Sequence, residues 1–341
     1  LGRAPLGARA GTGYAWYLWA PLLAEGKLAG ALGVASKRGD FDLVRAFRGL
    51  YVLAVHLGVY LSWALARDQV LARSAGRATA AEQADLRFEC LGSFRLAGRG
   101  GPVSPDVFGR LKALTLLKFL VSQRGRPVPR EALIEVLWPE ADPVRAAANL
   151  RVVLHALRRG LTVAASRDGS QLLVSAGDMV YLDPSRRMWV DAEEFVALAR
   201  LAGVLEGEGK VDEALDAMRR AARLYKGDYL EDEPYSDWCL LERERLKETY
   251  LNLLRQTARI EAQRGELPRA VETCRAALRV DPLREDVHRR LIRLLIDLGH
   301  VADAVHQYNV CRRELRNGLG AEPSSETRAA YAAALATMER R

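Results

Sequence analysis

The chain is poor in the residue types that build metal centres and covalent chemistry, with 4 cysteines and 5 histidines in 341 residues. Cys90, Cys239, Cys274 and Cys311 stand far apart. No C-x-x-C pair therefore offers two thiolates to one metal, and no dense framework implies secretion. They read as reduced, small core residues of a cytoplasmic protein. Of His56, His155, His288, His300 and His306, the last two are six positions apart, not the three or four that stack two ligands on one helix face. No metal site is expected. The sequence also lacks a G-x-x-x-x-G-K-[ST] phosphate loop, an H-E-x-x-H pair and any recognisable setting for a catalytic Ser, Cys or His. These absences argue against an enzyme, and no cofactor is expected.

Acidic residues are scarce in the first part of the chain. Lys and Arg number 26 against 15 Asp and Glu through residue 190, but 25 against 28 beyond it, within a net charge of +8. A basic region joined to a near-neutral one suits a chain whose first part meets a polyanion and whose second part meets protein. The 49% hydrophobic and 28% charged composition is that of an ordinary globular protein, and the length suits two or three domains. The start, Leu1-Gly2-Arg3, has neither a methionine nor a signal-peptide pattern, so the sequence reads as a piece of a longer one.

Two strand-like runs, Tyr14 to Leu23 and Lys27 to Ser36, flank Ala24-Glu25-Gly26 and predict a hairpin. Asp40 is then a candidate N-cap for a long helix, with Val44, Phe47, Tyr51, Ala54, Gly58, Leu61 and Leu65 recurring at steps of three and four. The run Gly49 to Ala66 carries no charge beyond His56, so a short transmembrane span is the alternative reading there. The pattern P-L-L-x-x-G-K-L-x-G-A-L-G-V, followed by Phe41 and a long apolar helix, resembles the C-terminal half of a GAF sensory domain. Only about half of such a domain is covered, and no ligand follows from it.

Leu86 to Ser104 reads as a small antiparallel sheet, punctuated by Gly92, Gly98, Gly100 and Gly101. Three helical patterns follow over Phe108 to Gln123, Arg130 to Trp138 and Pro143 to Arg159. The third opens on Asp142-Pro143, an N-cap followed by proline where the missing N–H is harmless. At 100° per residue, Ala147, Leu150, Leu154 and Leu157 form its core side. Arg145, Ala148, Asn149, Val152, Ala156 and Arg159 point the other way, with His155 at the edge. No acidic residue lies between Pro143 and Arg167. Such a face suits a major-groove reader, because small residues allow close approach, an Asn can pair with adenine and an Arg with guanine or phosphate. Leu172 to Ser175 and Met179 to Leu182 then form a hairpin whose tip has no Lys or Arg.

The runs L-L-K-F-L-V-S-Q-R-G-R-P-V-P-R-E-A-L-I-E-V-L-W-P-E and N-L-R-V-V-L-H-A-L-R-R resemble the OmpR-type winged helix of the antibiotic regulatory protein (SARP) family. The resemblance implies that the third helix reads double-stranded DNA, with Arg145, Asn149, Val152, His155 and Arg159 at the bases. It assigns phosphate contacts to Arg110, Lys112, Arg130, Arg151 and Arg158. The hairpin's D-M-V-Y-L-D departs from the family's Gly-Tyr pattern, which puts the wing contacts in question.

A pattern G-x-[VL]-x-x-A-[VL] occurs at Gly209, Gly265 and Gly299, the last two 34 residues apart. That period is the tetratricopeptide signature, since small residues let paired helices approach. The longer first interval implies an insertion, in which Tyr235 and Trp238 are expected to pack in the core or between repeats. The runs V-D-A-E-E-F, D-P-L-R-E-D-V-H-R-R-L-I and G-L-G-A-E-P-S-S-E-T resemble the bacterial transcriptional activator domain that follows the winged helix in SARP proteins.

The expected protein is mainly α with small β parts. It comprises a partial GAF-like α/β segment over 1–72, a linker over 73–85, a winged helix-turn-helix over 86–185 and an all-α tetratricopeptide-like domain over 189–341. The expected function is sequence-specific DNA binding on repeated half-sites about one helical turn apart, with self-association on DNA. The resemblance further implies activation through RNA polymerase holoenzyme. The alternative is a protein-interaction scaffold whose winged helix no longer binds DNA.

Overall fold

The computed structural model describes residues 16–24, 27–36, 80–165 and 172–339. The chain divides into two units, Leu1–Ala75 and Gly76–Arg341. In the first, β1 (Trp16–Ala24) and β2 (Lys27–Ser36) pair antiparallel, from Trp16 opposite Ser36 to Ala24 opposite Lys27, with a register irregularity at Leu22 and Leu23. This is the expected hairpin. The long helix expected after Asp40, its seam and the Gly49 to Ala66 run lie outside the described residues. No helix among the described residues is long and apolar enough to cross a membrane.

The second unit opens on a one-turn helix, α1 (Ala80–Gln83), and a sheet of β3 (Leu86–Glu89), β4 (Arg95–Gly98) and β5 (Gly101–Val103). In β3, Leu86 and Phe88 are buried while Arg87 and Glu89 lie nearer solvent, the alternation of a strand covered on one face. The sequence reading missed a fourth strand, β9 (Met188–Val190), which joins the edge of β3 in parallel and sets the order β5-β4-β3-β9. Because β9 runs straight into the helical half, this sheet is shared between the two halves of the unit.

The first expected helix is divided. A 3-10 turn over Pro105–Phe108 ends at Gly109, in the left-handed region at φ 61°, and α2 (Leu111–Ser122) follows. Then come β6 (Val128–Pro129), α3 (Arg130–Leu137) and α4 (Pro143–Ala165), the last running past its expected end at Arg159. β7 (Leu173–Ala176) and β8 (Met179–Leu182) form the hairpin, and β6 adds to β8. Leu116, Leu117, Leu120, Leu133, Leu137, Leu150, Leu154 and Leu157 from the three helices are buried together as the core of this module.

Seven helices follow. They are α5 (Asp191–Gly207), α6 (Val211–Leu224), α7 (Asp237–Gln263), α8 (Leu267–Val280), α9 (Glu285–Asp297), α10 (Val301–Leu319) and α11 (Ser325–Glu339). The glycines of the repeated pattern, Gly209, Gly265 and Gly299, terminate α5, α7 and α9 with φ of 75°, 76° and 78°. Only glycine adopts this conformation without a Cβ penalty, so it reverses the chain into the next helix. The repeated alanines, Ala214, Ala270 and Ala304, are all 0% exposed at the helix crossings.

The expected insertion is the connection 225–236 together with the length of α7. It holds the two halves together. Leu230 N–H donates to the Cys90 carbonyl at 2.8 Å, and Gly92 N–H to the Asp228 carbonyl at 3.0 Å. Trp238 packs edge-on against Phe119 of α2 at 5.3 Å between ring centroids, so it joins the two halves rather than two repeats. Tyr235, expected to be packed, is 97% exposed. It follows Pro234 in the turn that precedes α7.

Candidate nucleic-acid interface

The exposed face of α4 is the feature from which binding chemistry can be built. Asp142 caps it as expected, its carboxylate accepting from Arg145 N–H at 3.0 Å and its carbonyl from Ala146 N–H at 2.8 Å. The buried side comprises Ala146, Leu150, Val153, Leu154, Ala156, Leu157, Gly160, Leu161 and Ala164. This corrects two expectations. Ala156 was placed on the open face and is buried, whereas Ala147, placed in the core, is half-exposed. The helix is covered on two sides, by α2 and α3 on one and by the 3-10 turn and β4 on the other, so its buried arc is wider than one stripe.

The exposed residues of the helix include Arg145, Ala148, Asn149, Arg151, Val152, His155 and Arg159, with Val152 at 45%, as well as Val144 and Val163 towards its ends. All five residues expected to meet bases therefore lie on one helix, facing outward, with no carboxylate on that helix. Two close contacts fix its rotation about its own axis. A Cβ on Gly160 would lie 2.3 Å from the Phe108 ring, and one on Gly98 would lie 2.0 Å from the Ala164 carbonyl oxygen. Neither position admits a side chain without movement of the helix.

The residues expected at phosphates divide into two kinds. Arg110 and Arg151 are exposed, and Arg110 forms the N-terminal boundary of α2. The others are engaged within the module. Lys112 Nζ donates to the Leu137 carbonyl at 2.7 Å, closing the C-terminus of α3. Arg158 donates to the Ser175 hydroxyl of β7 at 2.6 Å. Arg130 is half-exposed, and its backbone N–H donates to the Asp178 carbonyl at the hairpin tip at 3.0 Å. The hairpin is thus tied to α3 and α4, a coupling that spacing along the chain does not reveal. The Arg159 guanidinium lies over Gly109, 3.1 Å from where a Cβ would stand.

The junction with the helical half has its own polar network, and sequence reasoning missed its two main members. Asp191, at the start of α5, accepts from Cys90 N–H at 2.7 Å and Leu91 N–H at 3.0 Å. Burial pushes its carboxyl up to about 6, against those N–H bonds, which pull the other way. Lys118 of α2 is 2% exposed and reaches Asp232 at 2.5 Å and Glu233 at 2.9 Å. The V-D-A-E-E-F run signalled Asp191, but its partners lie 100 residues away.

Among the described residues, the cysteines and His288 are core groups. All four cysteines are free and buried, and burial pushes the Cys274 and Cys311 thiols up to about 12. His288 Nε2 donates to the Pro282 carbonyl at 2.9 Å while Gln307 donates to Nδ1 at 2.6 Å. Burial holds its pKa below 6.5, so it is a neutral core residue. Among the described residues no cluster of His, Cys, Asp or Glu could hold a metal ion.

With this geometry, the matches to known proteins fall where the architecture changes. Residues 107–175 match the family "Transcriptional regulatory protein, C terminal", and residues 190–335 match "Bacterial transcriptional activator domain". The chain is 30% identical over 244 residues to the regulatory protein AfsR of Streptomyces coelicolor, covering 71% of this chain and 23% of AfsR. It is 28% identical over 220 residues to the regulatory protein DnrI of Streptomyces peucetius, covering 63% of this chain and 80% of DnrI. It is 28% identical over 270 residues to the transcriptional regulatory protein EmbR of Mycobacterium tuberculosis, covering 75% of this chain and 64% of EmbR. The chain thus spans less than a quarter of AfsR. A solved structure of Mycobacterium tuberculosis EmbR in complex with a low-affinity phosphopeptide superposes with a TM-score of 0.61 at 26% identity, covering 74% of this chain and 65% of that one. Over residues 107–175 and 190–335 the chain is thus similar to transcriptional regulatory proteins.

Proposed function

We propose that the chain is a sequence-specific DNA-binding transcription regulator in which residues 86–185 form a winged helix and residues 189–341 a tetratricopeptide-like effector domain. The single observation that supports this most is the acid-free outer face of α4, where Arg145, Asn149, Val152, His155 and Arg159 are exposed together. Asn149 pairs with adenine, Arg145 and Arg159 reach guanine or phosphate, and Val152 meets a thymine methyl. Arg110 and Arg151 neutralise phosphates. Lys112, Arg130 and Arg158 set the helix and hairpin in place and meet phosphate with their remaining donors. The resemblance supplies the rest: protomers on repeated half-sites, and contact with RNA polymerase holoenzyme at a promoter. The segment 1–72 is part of a GAF-like sensory domain acting on that arrangement.

The test is retention of genomic fragments by the intact chain at moderate salt, with sequencing of what is retained, beside an Asn149→Ala, Arg159→Ala double variant. A recurring half-site motif, lost in the variant, establishes the reading. Retention without a motif, or none, replaces it with a protein-interaction scaffold.

A further inference from the structure

One hollow in the described part of the molecule lies away from the α4 face. It is a cleft of about 410 Å³ between α7, α8 and α9, within the 300–1,000 Å³ range typical of ligand sites. Its floor is apolar, with Leu254, Ala258, Cys274, Ala277 and Leu294 each at most 4% exposed. Ala258, Cys274 and Ala277 are small, which leaves the space between the three helices unfilled.

Its walls are basic. Arg255, Arg289, Arg290 and Arg293 line it against a single carboxylate, Asp286. Many other arginines of the helical domain are matched: Arg219 pairs with Glu261 and Glu266, Arg259 with Glu206, Arg264 with Asp212 and Arg284 with Glu248. Arg289 is likewise held by Glu326. By contrast, no carboxylate among the described residues comes within ion-pairing distance of Arg255, Arg290 or Arg293, and Arg255 bonds only to the Asn252 side chain. Three guanidinium groups beside an apolar floor and without counter-charges form a complementary surface for carboxylates flanking a hydrophobic side chain.

We propose that this cleft is the docking site for an acidic peptide segment of a partner protein, with an aliphatic side chain on the Ala258–Ala277 floor and carboxylates on Arg255, Arg290 and Arg293. Duplex DNA fits less well, because the cleft is concave and its floor is apolar, which suits a hydrophobic side chain rather than a phosphate backbone. The site is separate from the α4 face and stands whether or not that face reads DNA.

The test uses the full chain and two fluorescein-labelled synthetic peptides, one of Asp and Glu flanking a central Leu, the other with Lys in place of the acids. The charge-reversed Arg290→Glu, Arg293→Glu variant involves partly or fully exposed positions, and its thermal melt is compared with that of the parent. Arg312→Glu, on an exposed position outside the cleft, is the control. The proposal expects salt-sensitive binding of the acidic peptide, weakened about tenfold or more in the double variant and unchanged in the control, while the double variant gains affinity for the Lys peptide. Failure of the parent to bind the acidic peptide overturns it. So does equal binding by a folded double variant, or a double variant that loses only duplex DNA.

Discussion

Arg158 of α4 and Ser175 of β7 are joined by a hydrogen bond of 2.6 Å that links the putting-forward helix of the basic module to its hairpin. The two residues lie 17 positions apart, and the bond fixes where the hairpin stands beside the outer face of α4. Arg158→Ala is therefore expected to weaken DNA binding more than loss of a phosphate contact alone, because it loosens the hairpin as well as removing a charge that meets phosphate. Arg151→Ala removes a free charge from the open face and should lower the slope of log affinity against log salt by about 0.9. Titrations at several salt concentrations compare the two, and equal changes in slope would show that both residues act as phosphate contacts.

Asn149→Ala is expected to relax sequence preference at one base position, by about 1 to 3 kcal/mol of discrimination, without altering the melting temperature. Its side chain is exposed and caps nothing. Binding to a randomised duplex pool, sequenced after selection, reads the effect directly, and an unchanged motif would remove Asn149 from the reading set.

Gly160→Ala tests the seating of α4. The added methyl would lie 2.3 Å from the Phe108 ring, and overpacking of this kind costs about 1 to 3 kcal/mol. Denaturant unfolding should show this loss. Phe108→Leu in the same chain should restore part of it by clearing the ring, whereas a further loss would place the strain elsewhere.

Lys118→Met removes the cation between Asp232 and Glu233 and leaves both carboxylates at the junction. Breaking a fully buried pair costs about 3 to 5 kcal/mol. The loss here should be smaller, because the Asp232 side chain is 37% exposed and partly rehydrates. Adding Asp232→Asn and Glu233→Gln should recover stability in the Lys118→Met background, as measured by urea unfolding.

Asp191 makes stability depend on pH. Its folded pKa of about 6 lies above the ordinary 3.8, with burial the main cause, so the folded state holds the proton more tightly than the unfolded chain. Its contribution is full below about pH 4 and is lost as pH rises through about 6. Asp191→Asn should flatten the stability profile across that window. An unchanged profile would assign the dependence to other groups.

Much of the architecture was legible in the sequence because it rests on local rules. Asp142-Pro143 announces the start of α4 through capping and proline geometry, which involve only neighbouring residues. Gly209, Gly265 and Gly299 announce the helix reversals because a positive φ excludes other side chains. The outward set Arg145, Asn149, Val152, His155 and Arg159 followed from a period of 3.6. Its errors, Ala147 and Ala156, arose because two neighbouring surfaces cover α4 and broaden its buried arc, which no single-helix pattern encodes.

What tertiary structure alone decided is how the basic module and the helical domain meet. β9 is three residues long, too short to announce itself by alternation, and it becomes a strand only because the edge of β3 is open to it. Lys118 looked like one more surface charge until the 225–236 connection brought Asp232 and Glu233 to it. Tyr235 looked like a packing residue until the same connection turned it into solvent. By itself the sequence determined the elements and the charge of their faces, since those depend on neighbours a few residues apart. The pairing of Asp191 with Cys90, of Lys118 with Asp232 and of Arg158 with Ser175 required the folded chain, because the partners lie from 17 to 114 residues apart and only packing brings them within reach.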